Sequence, residues 1–260
     1  RRNAGKDVVV PFLRRHGVRA VSLLVVSHVH ADHLGGAGAV LDELEVKTAA
    51  EPGWATPDSL YRSFLDQLAT EGTGWRPARA GTGWELDGVR FRVLHPDTAW
   101  ARWGEDLNED SAVLLVEYRG FRALFAGDAG LPVEQRLLGQ VGPVDVLKVG
   151  HHGSGSATGG TWLREVAPRV AVLSVGRNRY GHPHPAVVAR LDSAGAMVWR
   201  TDRHGTVTVQ TDGCRVAVRT RRTSYHLDAR GTPCHDGLPL RPSRPSSSSR
   251  NAPSPVLPGN

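Results

Sequence analysis

Apolar and polar positions along this chain alternate between two periods. Residues 8–16 place apolar side chains at helical spacing, with Pro11 in the first turn and Gly17 just past the end. Residues 21–26 form an unbroken apolar run suited to a buried strand. Helical spacing returns over residues 34–44 and 59–69, with a short strand predicted at 46–50 between them. The period then drops to two: residues 84–86 and 89–93 alternate around Asp87-Gly88, a two-residue hairpin signal, and strands over 112–118 and 121–126 meet across Arg119-Gly120. The remainder predicts a helix at 133–138, strand 144–149, helix 161–166, strand 169–175, helix 185–194, strand 196–200 and a hairpin of 205–210 with 215–219. The pattern is that of an α/β protein with an antiparallel stretch in its middle.

Composition changes this picture at the carboxy-terminal end. From about residue 220 the chain is rich in Pro, Ser and Arg and almost lacks aromatic residues, so it has too little apolar surface to offset the entropy of ordering. The expected organisation is a folded domain over 1–219 and a disordered tail over 220–260. The formal charge of +6 suggests a nucleic-acid binder, but eight arginines between 215 and 250, set against Asp228 and Asp236, account for all of it. The rest of the chain is neutral overall, so charge alone is a weak argument for a polyanion partner. No apolar run approaches the length of a membrane span, which predicts that the chain as given is soluble. It opens on Arg1 and runs at once into an apolar-periodic segment, as a piece of a longer protein would. Its two cysteines, Cys214 and Cys234, lie far in sequence from the histidines considered next, which argues against a disulfide framework or a thiolate metal site.

The chemistry is concentrated in residues 28–33, His-Val-His-Ala-Asp-His, directly after the strand predicted at 21–26. His28 and His30, one residue apart on an extended strand end, point the same way and can reach one metal ion. Asp32 and His33 are aimed differently and suit a second ion beside the first. Two close cations repel unless an anion bridges them, and Asp128, after the strand at 121–126, is the expected bridging ligand. The competing reading of Asp128 is a helix cap. His151 and His152 emerge from the strand at 144–149; neighbours on an extended chain face opposite ways, so one of them, His152 by preference, is expected to bind metal. Lys148 either meets a phosphate or simply extends its ammonium from the strand end. Trp54, Trp75, Trp84, Trp100 and Trp103 either stack bases or pack.

These landmarks together are similar to the pattern of the metallo-β-lactamase superfamily. More specifically, residues 27–36, 108–111, 126–128, 147–154, 178–185 and 201–205 resemble the carboxy-terminal hydrolase-like domain of the ComEC competence (DNA-internalisation) family, over roughly residues 6–212. The resemblance implies a four-layer αβ/βα sandwich and a metal-dependent hydrolase with two divalent ions, zinc or manganese. It also implies DNA as the partner, degradation or processing of one strand of incoming DNA, and a parent protein with a channel region in the cell membrane. The chain departs from that pattern in two places. Asn108 stands where many members have a third histidine on the first metal, and can be a weak ligand, a support for one, or purely structural. The two leading strands of such domains are also missing, which predicts that the sandwich lacks its first two strands.

The mechanism this implies is attack on phosphorus by hydroxide held between the ions. His28 and His30 would bind the first ion, Asp32, His33 and His152 the second, with Asp128 between them. His151 or His184, with His184 ranked above His182, would protonate the leaving oxygen, and Asp32 is a further catalytic candidate. Two alternatives remain at this point: an esterase for a small phosphodiester or phosphocholine ester, and a non-catalytic accessory domain of a DNA-uptake channel.

Overall fold

The computed structural model describes residues 3–100 and 106–231. A π-helical turn, Gly5–Val9, runs into α1 (Val10–Arg15), and the apolar run that follows becomes two short strands, β1 (Ala20–Val21) and β2 (Leu24–Val25). One strand was expected here. The run is divided because its partner is divided as well: β1 pairs with β3 (Glu45–Val46) and β2 with β4 (Thr48–Glu51), the two pairs lying in separate sheets. The helix expected over 34–44 is likewise two, α2 (Ala31–Leu34) and α3 (Ala37–Glu43), broken at Gly35-Gly36. That break admits a close backbone approach: a Cβ on Gly5 would lie 2.0 Å from the Gly36 carbonyl oxygen, so the amino-terminal turn is seated directly beside the residues that follow the histidine cluster.

After α4 (Ser59–Thr70), capped by the Asp58 carboxylate, β5 (Gly74–Pro77) completes a parallel sheet of order β2-β4-β5. The hairpin of β6 (Gly83–Leu86) and β7 (Val89–His95) turns at Asp87 and Gly88, whose φ values of 50° and 77° are the left-handed pair that a tight hairpin needs. The chain continues through β8 (Val113–Tyr118), β9 (Phe121–Phe125), α5 (Leu131–Leu137), β10 (Val146–Lys148), α6 (Gly160–Val166), β11 (Val170–Leu173), α7 (Pro185–Ser193) and β12 (Met197–Arg200). Strands β6 to β12 form one seven-stranded sheet in sequence order, antiparallel from β6 to β9 and parallel from β9 to β12. A short α8 (Thr201–His204) leads to the antiparallel sheet β13 (Thr208–Thr211), β14 (Arg215–Arg219) and β15 (Ser224–Asp228).

Four apolar clusters order the layers. Leu115, Leu124, Leu147 and Leu173 on one face of the large sheet pack with Val133, Leu163 and Leu191 of α5, α6 and α7. On the opposite face, Val93, Ala112 and Leu114 meet Val25 and Ala50 of the smaller parallel sheet. That sheet is covered on its outside by Val40, Leu41, Phe64 and Leu68 of α3 and α4. The result is the helix, sheet, sheet, helix sandwich that the family resemblance implied. The sheet β13-β14-β15 covers the rest of the inner face through Val216, Val218 and Leu227. Strand β2 is an edge strand, and a groove of about 230 Å³ opens beside it; there Phe125, on the same inner face, stays 46% exposed.

The boundary expected at residue 220 therefore falls inside the folded part, because β15 pairs along all of β14, from Arg215 opposite Asp228 to Arg219 opposite Ser224. Low local hydrophobicity is offset by this pairing and by Leu227 in the core. Residues 232–260, the rest of the expected tail, lie outside the described residues. Five of the eight arginines that carry the charge excess sit between 215 and 231, on or beside this sheet rather than in a tail. Cys214, in the β13–β14 turn, is disulfide-bonded, contrary to the expectation from sequence spacing; Cys234 lies outside the described residues. If β15 belongs to the core, Leu227→Ala destabilises the protein by about 2 kcal/mol or more in a denaturant titration. A change near zero would return residues 220–231 to a tail.

Candidate metal centre

The histidine cluster occupies the loop after β2 and the first turn of α2, and its donors fall into two groups. His28 Nε2 lies 3.1 Å from His30 Nδ1, which lies 3.1 Å from Asn108 Oδ1. His33 Nε2, His152 Nε2, Asp32 Oδ2 and Asp128 Oδ2 form the second group, all within 4.8 Å of one another. Its separations are 3.3 Å for His33 to His152, 3.2 Å and 3.4 Å from Asp128 to each of these, and 3.5 Å and 3.9 Å from Asp32 to His152 and His33. These values cluster around about 3.4 Å, the edge of a tetrahedron of donors about 2.1 Å from a zinc-like ion. Asp128 belongs to the second group through Oδ2, while its Oδ1 is buried without a partner among the described residues. A carboxylate with one oxygen in a donor cage and the other unspent fits a second cation beside the first.

Burial and hydrogen bonding prepare these donors for a cation. His28 is 2% exposed; burial, reinforced by His33, pushes its pKa down to about 3, so its ring is neutral and its lone pair free at ordinary pH. Burial alone would raise Asp128, but hydrogen bonds from His152 and His33 outweigh it and hold the carboxyl well below the usual range. The same contact with Asp128 raises His152. His152 Nδ1 donates to the Ser174 carbonyl at 2.7 Å, which leaves Nε2 as the face turned to the cage. Ser27 Oγ lies 2.9 Å from His33 Nδ1 and 3.2 Å from His28 Nδ1. Ser111 Oγ lies 3.2 Å from His28 Nδ1 and accepts from the Asp128 backbone N–H at 3.0 Å. Gly127 makes that approach possible: its φ is 56°, and a Cβ there would come within 2.7 Å of Ser111 Cβ.

The expected site residues are thus brought together with a few changes of reason and of place. His151 and His152 do not lie on an extended strand. They form a tight turn over Gly150–Gly153 with φ of 44° and 53°, a left-handed conformation that costs about 1–3 kcal/mol per residue and aims only His152 into the donor cage. His151 lines a cavity of about 1020 Å³ that opens over the cage, together with His30, Asp32, Asn108 and His182. His184, ranked first among the late histidines, is elsewhere: its Nδ1 accepts from Ala186 N and caps α7, and it does not line the cavity. Asp128 caps no helix, the residue before α5 being Gly130. Lys148 is half-buried and donates to the Val149 carbonyl, its side chain lining the groove beside β2 rather than the cavity. Of the tryptophans, Trp100 is buried, Trp75 donates to Glu51, and none among the described residues lines the cavity; Trp103 lies outside them.

Sequence reasoning missed the supports. Ser27 and Ser111 adjoin recognisable motifs and could have been found as hydroxyls beside ligands. Ser174 acts through its carbonyl and His95 through a distant contact, so neither carries a local signal. His95 is fully buried, and its Nε2 donates to the Glu109 carbonyl at 2.8 Å, behind the loop that bears Asn108 and Ser111. Among the described residues, no helix is long and apolar enough to cross a membrane.

Two outcomes follow. Removing the Ser111 hydroxyl in Ser111→Ala loosens His28 and Asp128 together and lowers metal affinity by about 10–100-fold in a chelator competition; unchanged affinity would remove Ser111 from this role. Burial pushes His95 down to about 4 from its ordinary 6.5, so the unfolded chain binds a proton there that the folded chain refuses between these values. Unfolding free energy accordingly falls as pH drops from about 6.5 towards 4 and loses part of this slope in His95→Gln, as equilibrium unfolding at stepped pH will show.

Comparison with known proteins agrees with this geometry. Residues 6–177 match the family model described as the metallo-beta-lactamase superfamily. The chain is 32% identical to ComE operon protein 3 of Bacillus subtilis over 206 residues, which are 78% of this chain and 26% of that protein. It is 35% identical to competence protein ComA of Neisseria gonorrhoeae over 208 residues, 78% of this chain and 27% of the relative. The chain therefore spans about a quarter of the length of these relatives. Among solved structures, CmlA, a diiron β-hydroxylase from Streptomyces venezuelae, aligns with a TM-score of 0.50 at 13% identity, over 71% of this chain and 44% of that one, and shows the shared fold alone. With the matched region running from the amino-terminal turn past both halves of the donor set, this chain belongs to the metallo-β-lactamase superfamily.

Proposed function

We propose that this domain is a binuclear metal-dependent phosphodiesterase that hydrolyses DNA, serving DNA uptake as part of a larger membrane-associated competence protein. The observation that carries the hydrolase reading is the two-part donor set, with the buried Asp128 carboxylate in one part and its second oxygen unspent. His28 and His30, with Asn108 beside them, would hold one ion; Asp32, His33 and His152 would hold the other, with Asp128 between the two. The donors are imidazole nitrogens and carboxylate oxygens with no thiolate, which suits zinc or manganese. Bound there, the ions would lower the pKa of water to give a hydroxide and neutralise charge on the phosphoryl oxygens.

The protein's own groups orient and exchange protons. Ser27, Ser111 and the Ser174 carbonyl fix the ring faces of His33, His28 and His152. His151, in the cavity and outside the cage, is placed to pass a proton to the leaving oxygen, and His182 stands behind it with ring centroids 5.7 Å apart. Of the two expected proton donors, His151 and His184, the position in the cavity favours His151, the His184 ring being spent on the α7 cap. DNA as substrate is supported by the likeness to competence proteins.

The test is hydrolysis of single- and double-stranded DNA by protein supplied with zinc or manganese. Cleavage is expected to stop on chelation, to fall by about 100-fold or more in His151→Gln, and to be lost in Asp128→Ala. Cleavage that survives Asp128→Ala would overturn the reading. Metal-loaded protein that cleaves a small diester but no DNA would move the substrate to a small phosphodiester.

A further inference from the structure

We propose that Tyr180 is a stacking platform for one nucleobase of a single-stranded substrate, held at the mouth of the metal cavity by a preorganised loop. The inference rests on the phosphodiesterase reading and names the form of DNA that the site takes. Tyr180 is 69% exposed, and although its ring lies on the cavity wall it contributes little to folding from that position. The loop that carries it is nonetheless ordered by a single side chain. Asn178 Oδ1 accepts from Tyr180 N and His182 N, both at 3.0 Å, and its Nδ2 donates to the Gly176 and His182 carbonyls at 2.9 Å and 2.8 Å. Four hydrogen bonds from one residue order the backbone that carries the ring, so little loop entropy remains to be lost when a flat ligand lies on it.

The surroundings define that ligand. A series of rings leads inward from the mouth. Tyr180 stacks on His182 at 25° with centroids 5.8 Å apart, His182 meets His151 at 5.7 Å, and His151 meets His152 of the donor cage at 6.4 Å. The Arg179 guanidinium lies over the Tyr180 ring, 5.5 Å from its centroid, in a cation–π contact that a stacking base would displace or share, and Arg177 lines the cavity with no acidic partner among the described residues. The same cavity wall includes Val8 of the amino-terminal turn, 60% exposed, as a second apolar contact. A planar apolar group on Tyr180 and an anion beside Arg177, both leading to a phosphodiester at the donor cage, describe a nucleotide within a strand. A base in a duplex already has both faces stacked, so the platform serves single strands or strand ends. This also separates the stacking residue from the tryptophans, none of which, among the described residues, reaches the cavity.

The experiment measures binding by fluorescence anisotropy on the full chain. Its probes are a labelled oligothymidylate, an abasic strand with the same number of phosphates, and the oligothymidylate paired with its complement. Wild type is expected to hold the single strand about tenfold more tightly than the abasic strand and more tightly than the duplex. Tyr180→Ala loses the preference for the base-bearing strand, and Tyr180→Phe, which keeps the ring, retains it. A wild type that does not distinguish the single strand from the abasic strand or the duplex, or a Tyr180→Ala protein that still favours bases, would overturn the proposal. Hydrolysis of bis(p-nitrophenyl) phosphate by the metal-loaded wild type reads the chemistry separately. Ester hydrolysis without base preference defeats the stacking role alone, and base preference without ester hydrolysis defeats the phosphodiesterase reading alone.

Discussion

The Asp128 carboxylate is buried to 3% exposure yet kept ionised, and much of the surrounding structure is arranged to satisfy it. An isolated carboxylate at such a position costs several kcal/mol, so it persists only where donors or cations answer it. His33 and His152 answer one oxygen, while Ser111 receives the backbone N–H and fixes the residue's place at the end of β9. The other oxygen has no protein partner among the described residues. The unanswered oxygen lies at the meeting point of the two donor groups, where a cation could answer it.

The delivery of the donors follows from the layered architecture. His28 leaves the end of β2 in the smaller sheet, whereas Asp128, His152 and the Ser174 carbonyl leave the ends of the adjacent parallel strands β9, β10 and β11 in the larger one. The two sheets pack through Val25, Ala50, Val93 and Leu114, so the donor cage sits at one end of a rigid apolar seam. Rigid support is what allows the left-handed turn at His151 and His152 to persist, because its strain is offset by the burial of Gly150 and Gly153 and by the bond from His152 to Ser174. It also allows Ser27 and Ser111, which come from different sheets, to address the same imidazole.

Charge is distributed differently from what linear composition suggested. Much of the basic excess lies on or beside the β13-β14-β15 sheet, while the cavity combines carboxylates and imidazoles with Arg177 at its wall. The basic residues of the sheet are thus distributed apart from the cavity, whose own charges are mixed in sign.

Residues 28–33 pointed to a metal site by themselves, since three imidazoles and a carboxylate within six positions have few other uses. Periodicity also determined most helices and strands, including the hairpin at Asp87-Gly88, because each depends on near neighbours. Tertiary structure decided what depends on distant partners. A positive-φ turn, and not strand alternation, put His152 in the cage and His151 in the cavity. A cap hydrogen bond holds His184 outside the cavity that His182 lines. Strand pairing drew residues 224–228 into the core despite their polar neighbours. The sequence lists the donors, but the directions they face are set by backbone dihedrals and by hydrogen bonds between residues as far apart as Ser111 and His28, which no local pattern encodes.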